Sequence, residues 1–124
     1  MRLLLDTHVV LWWRLNDKRL KRDARTAISA SDIVWVSAAS GWEVAIKQAI
    51  GKLRIEHAFE WMVSDSEFDE LPVTLAHTNG IVDLPPHHMD PFDRMLIAQA
   101  RGERATIVTH DRQFEPYDVP IIWT

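Results

Sequence analysis

Short apolar runs alternate with longer stretches of helical period along the whole chain. The runs predict strands at residues 2–6, 33–36, 71–73, 106–109 and 120–122. The stretches between them predict helices at about 7–15, 24–30, 38–50, 57–68, 74–83, 91–101 and 111–115. The strands show little apolar/polar alternation, as expected of parallel strands covered on both faces. This pattern predicts an α/β fold in three layers, α/β/α, around a mostly parallel sheet of four to five strands.

The third long helix carries the clearest periodicity. Trp42, Ala45, Ile46, Ala49 and Ile50 fall at i, i+3, i+4, i+7 and i+8 and make one apolar stripe, the face expected to be buried. Gly51 then terminates it. Glu43 sits one residue off the stripe, and Ser40 to Glu43 spell a capping box, a sufficient local reason for that carboxylate.

At 124 residues, 47% hydrophobic and 26% charged, the chain is sized for a single domain spanning 1–124, with one core and one main site. Zero cysteines exclude a disulfide framework, a thiolate metal site and a cysteine nucleophile, and suit a reducing, cytoplasmic setting. The N-terminal apolar runs are broken by Asp6, Thr7 and His8, so neither a signal peptide nor a membrane span is expected. A net charge of -4 argues against binding nucleic acid through the overall field. Basic residues nevertheless gather at positions 14–25 and 47–54, and a solvated helix face explains the first cluster as well as a phosphate track does.

Four carboxylates occupy positions that look innocent one at a time. Asp6 ends the first strand in LLLDTH, Asp111 follows the fourth in IVTHDRQF, and Glu43 and Asp93 stand near helix openings. In HHMDPFDRMLIAQA, Asp90 before Pro91 reads as an N-cap, and Asp93 could complement the helix dipole. In an open parallel sheet, however, the carboxyl ends of neighbouring strands line the ligand crevice. If the first and fourth strands are neighbours, the four acids converge, and like charges a few ångströms apart would favour protonation unless a cation compensates. A hard divalent ion such as Mg²⁺ or Mn²⁺ fits that role and keeps positions for water and phosphate oxygens, which points to metal-assisted phosphoryl chemistry. Thr109 and Ser37, at strand ends, could orient a carboxylate or water, with N-capping the simpler role for both.

The segments LLLDTHVVLWW, VSAASGWEVAIKQAIGKL, LPPHHMDPFDRMLIAQA and IVTHDRQF, in that order, resemble the PIN domain and, within it, the VapC-type toxins of bacterial toxin and antitoxin pairs. The resemblance runs from Arg2 to about Trp123. It implies a parallel sheet flanked by helices, a Mg²⁺- or Mn²⁺-dependent endoribonuclease, and a protein antitoxin as partner. Carried over by position, the catalytic and metal-binding acids are Asp6, Glu43, Asp93 and Asp111, with Asp90 an additional acidic position. Gly41 departs from the family, where a larger apolar residue is common before the tryptophan. Glycine costs about 1 kcal/mol inside a helix and less in its first turn.

The six histidines invite a zinc site, but His87 and His88 are adjacent and so point apart, and no H-x-x-x-H spacing lies on a helix. Trp12 and Trp13 read as core and interface packing, suited to a homodimer seam or a groove for an antitoxin helix. Arg14, Lys18, Arg22, Lys47 and Arg112 are candidates for an RNA phosphate path, and the RNA is best reached in an unpaired loop. A haloacid-dehalogenase-like phosphatase would need a second aspartate at position 8, where His8 stands, and no receiver-domain acid and lysine set is present. The competing readings are a non-catalytic PIN-like binding module and a DNA-cutting relative.

Overall fold

The structure, a computed structural model, describes residues 1–124. Five strands, β1 (Arg2–Leu5), β2 (Ile33–Ser37), β3 (Asp69–Leu71), β4 (Thr106–Thr109) and β5 (Ile121–Trp123), form one sheet in the order β3-β2-β1-β4-β5. Every pairing is parallel. The first strand made is therefore the middle one, and Leu3, Leu4 and Leu5 are fully buried. Its side chains divide between two layers, as a pleat demands. Leu3 and Leu5 join Val9, Val10, Trp12, Ala24 and Ile28 on one face. Leu4 joins Leu96, Ile97, Ile107 and Phe114 on the other.

Helices α1 (Thr7–Leu15) and α2 (Arg22–Ala30) supply the first layer, and α6 (Pro91–Glu103) supplies the second. Between them in sequence lie α3 (Ala38–Ala49), α4 (Phe59–Asp65) and the single-turn α5 (Leu75–Asn79), and a 3₁₀ turn over Arg112–Phe114 follows β4. This is the expected α/β/α arrangement, and it makes β1 and β4 the neighbours on which convergence of the acids depends. Leu5 pairs with Val36 on one side and Val108 on the other, so Asp6, Ser37 and Thr109 emerge together at the carboxyl edge.

Four expectations change, the plainest being that α5 stops at Asn79, capped by Gly80, instead of reaching 83. Pro72 has no N–H for a ladder, so β3 ends at Leu71 instead of running from 71 to 73. The fourth helix is shorter than 57–68, because Ser66 terminates it and Glu67 turns into the left-handed region at φ 61°. Most consequential, α3 is turned over: Ala39, Ser40, Glu43 and Val44 are buried, while Trp42 and Ile50 are 65% and 60% exposed. The apolar stripe faces outward and the glutamate inward. Ser37, accepting from the Ala39 N–H, caps α3, whereas Ser40 lies inside the helix with a buried hydroxyl that has no partner. The Ser40 to Glu43 capping box does not form, which removes the local reason for Glu43.

Candidate metal centre

Asp6 is the residue at which β1 hands over to α1, and capping alone accounts for only one of its oxygens. Oδ1 accepts the Thr7 N–H at 2.7 Å, while Oδ2 accepts the Thr109 hydroxyl at 2.7 Å. The same Thr109 Oγ1 accepts the backbone N–H of Asp111 at 3.0 Å. One buried hydroxyl thus ties the ends of β1 and β4 together and aims both acids into the crevice; Thr109 caps no helix. Burial pushes the Asp6 carboxyl above its ordinary range, with Glu43 adding repulsion, although the Thr109 and Thr7 hydrogen bonds and His8 pull the other way.

Glu43 enters from α3. Its Oε1 accepts the Thr7 hydroxyl at 2.8 Å and its Oε2 meets Lys47 Nζ, one turn on, at 3.0 Å. Ser37 is occupied with capping α3, the simpler of its two expected roles.

Asp90 caps α6, its Oδ1 accepting from the N–H groups of Phe92 at 2.8 Å and Asp93 at 3.0 Å, with Pro91 at the first helical position. That frees Asp93 from capping. Its carboxyl is pushed up to about 8, first by burial and then by the charges of Asp6, Asp90, Glu43 and Asp111. Asp111 caps the 3₁₀ turn with one oxygen, through the Gln113 N–H at 2.9 Å, and offers the other to the crevice.

The residue that sequence reasoning set aside is His88. His87 does point outward, but His88 is buried, and its Nε2 lies 2.7 Å from Asp93 Oδ2 and 3.5 Å from Asp111 Oδ2. The three ligand atoms lie within 4.8 Å of one another. Asp6 and Glu43 stand outside that tight set, each engaged by a threonine. The adjacency rule that pointed the two histidines apart was the available signal; what turned His88 inward is the remote Tyr117, whose Oη accepts the His88 N–H at 2.8 Å.

The basic candidates divide. Lys47 is paired with Glu43, and Arg112 follows Asp111 with its guanidinium 4.2 Å from the centre of the Trp123 ring, so both belong to this edge. Arg14, at the far end of α1, pairs with Asp65 at 3.0 Å and lies over Trp61. Lys18 and Arg22 are exposed near that same end. Trp12 is buried and Trp13 packs on Phe68, which makes both core residues. Beside the start of α6, an apolar cleft of about 300 Å³ is lined by Ala38, Trp42, Val73, Pro91, Phe92 and Met95.

The donor set fits a divalent cation. It consists of buried and half-buried carboxylates whose mutual repulsion no arginine offsets, with Lys47 touching only Glu43, and it sits where a parallel sheet reverses its strand order. No helix is long and apolar enough to cross a membrane.

Comparison with known proteins bears on the fold and the family. Ribonuclease VapC22 of Mycobacterium tuberculosis is 29% identical over 121 residues, covering 95% of this chain and 93% of that protein. The crystal structure of VapBC2 from Rickettsia felis, bound to a DNA fragment from their promoter, contains a chain that superposes with a TM-score of 0.73 at 13% identity, over 98% of both chains. A toxin-antitoxin complex from Klebsiella pneumoniae contains another, with a TM-score of 0.65 at 17% identity, over 97% of this chain and 95% of that one. The two solved structures share the overall fold of this chain. The PIN domain family profile matches residues 3–120, and with the acids gathered at the sheet's switch point the conclusion is direct: the chain belongs to the PIN domain family.

Proposed function

We propose that this protein is a Mg²⁺- or Mn²⁺-dependent endoribonuclease, the toxin of a toxin and antitoxin pair, with Asp6, Glu43, Asp93 and Asp111 as its metal-binding and catalytic acids. The observation that carries the reading is Asp93, half-buried among four other carboxylates and pushed up to about 8. Structural ion pairs bring their cation with them; here Lys47 reaches only Glu43, and no lysine or arginine pairs with Asp93. The name of the mycobacterial relative supports RNA as substrate, and the toxin-antitoxin complexes among the structural neighbours support a protein antitoxin as partner.

A divalent ion held by these acids would lower the pKa of a bound water and offset negative charge on the phosphoryl oxygens. The chain's own residues do the rest. Thr109 and Thr7 hold Asp6 and Glu43 in fixed rotamers, so the site is organised before substrate arrives. Asp90 secures the first turn of α6 and so fixes the direction from which Asp93 enters. Lys47 and Arg112 are the phosphate contacts of this proposal at the edge of the crevice, and Arg14, Lys18 and Arg22 can serve only a longer RNA that reaches the far end of α1.

The test is cleavage of a labelled, structured RNA by the purified protein with Mg²⁺ or Mn²⁺, beside EDTA and an Asp93→Asn variant. Metal-dependent cutting by the wild type alone supports the reading. Equal cutting by both proteins refutes it, and no cutting of RNA but cutting of DNA replaces the substrate. Absence of any cutting despite metal binding favours the binding module.

A further inference from the structure

His88 is the one nitrogen donor in the tight set of ligand atoms, and the carboxylate account gives it no part. The fold spends several contacts on placing it. Its N–H donates to Tyr117 Oη, Arg94 Nη1 donates to its carbonyl at 3.2 Å, and the edge of its ring packs on Phe114. Arg94 also holds the carbonyls of Leu84 and Pro85, and Tyr117 Oη donates to Pro85 at 2.8 Å, so the approach to α6 is fastened both by α6 itself and by the segment before β5. A loop histidine serving only as filler needs no such anchorage.

Resting on the metal-dependent reading above, we infer that His88 Nε2 is a ligand of the centre, forming with Asp93 and Asp111 a mixed nitrogen and oxygen set that selects a first-row transition-metal ion over Mg²⁺. The spacings suit one ion. Donors bound at about 2.1 Å in octahedral geometry lie about 3 Å apart when adjacent and just over 4 Å when opposite. Here Nε2 is 2.7 Å and 3.5 Å from the two aspartate oxygens, and all three atoms fall within 4.8 Å. The 2.7 Å contact requires one proton between Nε2 and Oδ2, and an ion bound to both atoms displaces it. Mg²⁺ gains little from an imidazole, whereas ions from Mn²⁺ onward in the series gain progressively more.

Mn²⁺ is the probe, because it is paramagnetic and its pulsed EPR spectrum reports directly coordinated ¹⁴N. The wild type loaded with Mn²⁺ should show one histidine nitrogen, and a His88→Gln variant should lose that signal and bind Mn²⁺ at least about tenfold more weakly, with Mg²⁺ affinity much less changed. A His8→Gln variant, altered at the other histidine near Asp6, should keep it. Should His88→Gln fail to fold, the wild-type and His8→Gln spectra still decide. Mn²⁺ bound without nitrogen coupling, or coupling lost with His8, overturns the ligand assignment and leaves the carboxylate centre standing. No Mn²⁺ binding by the wild type overturns both.

Discussion

Two aspartates in this molecule have opposite fates. Asp17, in the turn between α1 and α2, is held at the foot of a basic cluster; Arg19 contacts both its oxygens at 2.8 and 3.1 Å and draws its carboxyl down to about 2, with Arg25 assisting. Asp93, at the carboxyl edge of the sheet, has acids for neighbours and is pushed up to about 8. Where an acid serves the fold, its counter-charge is supplied from two residues along the chain. Where acids are gathered without one, stability is sacrificed, and a ligand from outside is the natural compensation.

The largest expected effect tests the uncompensated side. Asp93→Asn should lower RNA cleavage by more than about a hundredfold while the far-UV circular dichroism stays native; normal cleavage would reduce Asp93 to a helix-start acid. Next, Thr109→Val leaves Asp6 Oδ2 buried without its donor, and urea titration should record a loss of about 1–3 kcal/mol together with reduced cutting. A pH series on metal-free protein sharpens the contrast further. A carboxyl that keeps its proton to about pH 8 when folded, but releases it near 3.8 when unfolded, favours the folded chain in acid and loses that advantage as pH rises through about 8. The melting temperature should therefore fall on going from pH 5 to pH 9, and the fall should be shallower in Asp93→Asn. A small gain is expected of Gly41→Ala, because a Cβ there meets only Phe59 Cδ2 at 3.9 Å; about 0.5–1 kcal/mol of added stability should appear in denaturant titration. Asp17→Asn, on the compensated side, should leave cleavage unchanged.

The same contrast explains what could be read from the chain beforehand. Residues 7–15 and 106–109 fall where the pattern puts them, because local signals decide there: an aspartate cap, an apolar run, a clear stop. The order of the acids was also plain in the chain, whereas their convergence hung on the first and fourth strands being neighbours, a condition that the sheet order meets. The orientation of α3 was not plain. Periodicity locates a stripe but cannot tell which face a helix buries when the opposite face offers Ala39, Ser40 and Val44, small residues that let it pack closely at the sheet's edge. His88 was hidden for a related reason. Its direction depends on Tyr117, 29 residues away, and Arg94, contacts that no local spacing encodes.

The hydrogen bond between Asp6 and Thr109 joins residues 103 positions apart, and it closes around the central strand. During synthesis β1 emerges before β2 and can pair early with it, but the side that β4 will occupy stays open until residue 109 has left the ribosome. The crevice is accordingly among the last features to form. Any chain ending before residue 109 carries Asp6, Glu43 and Asp93 yet lacks both the hydroxyl that aligns the first of them and the strand that delivers Asp111. On the nuclease reading, chains that stop short of β4 are inactive by construction, and only those that carry it need restraint.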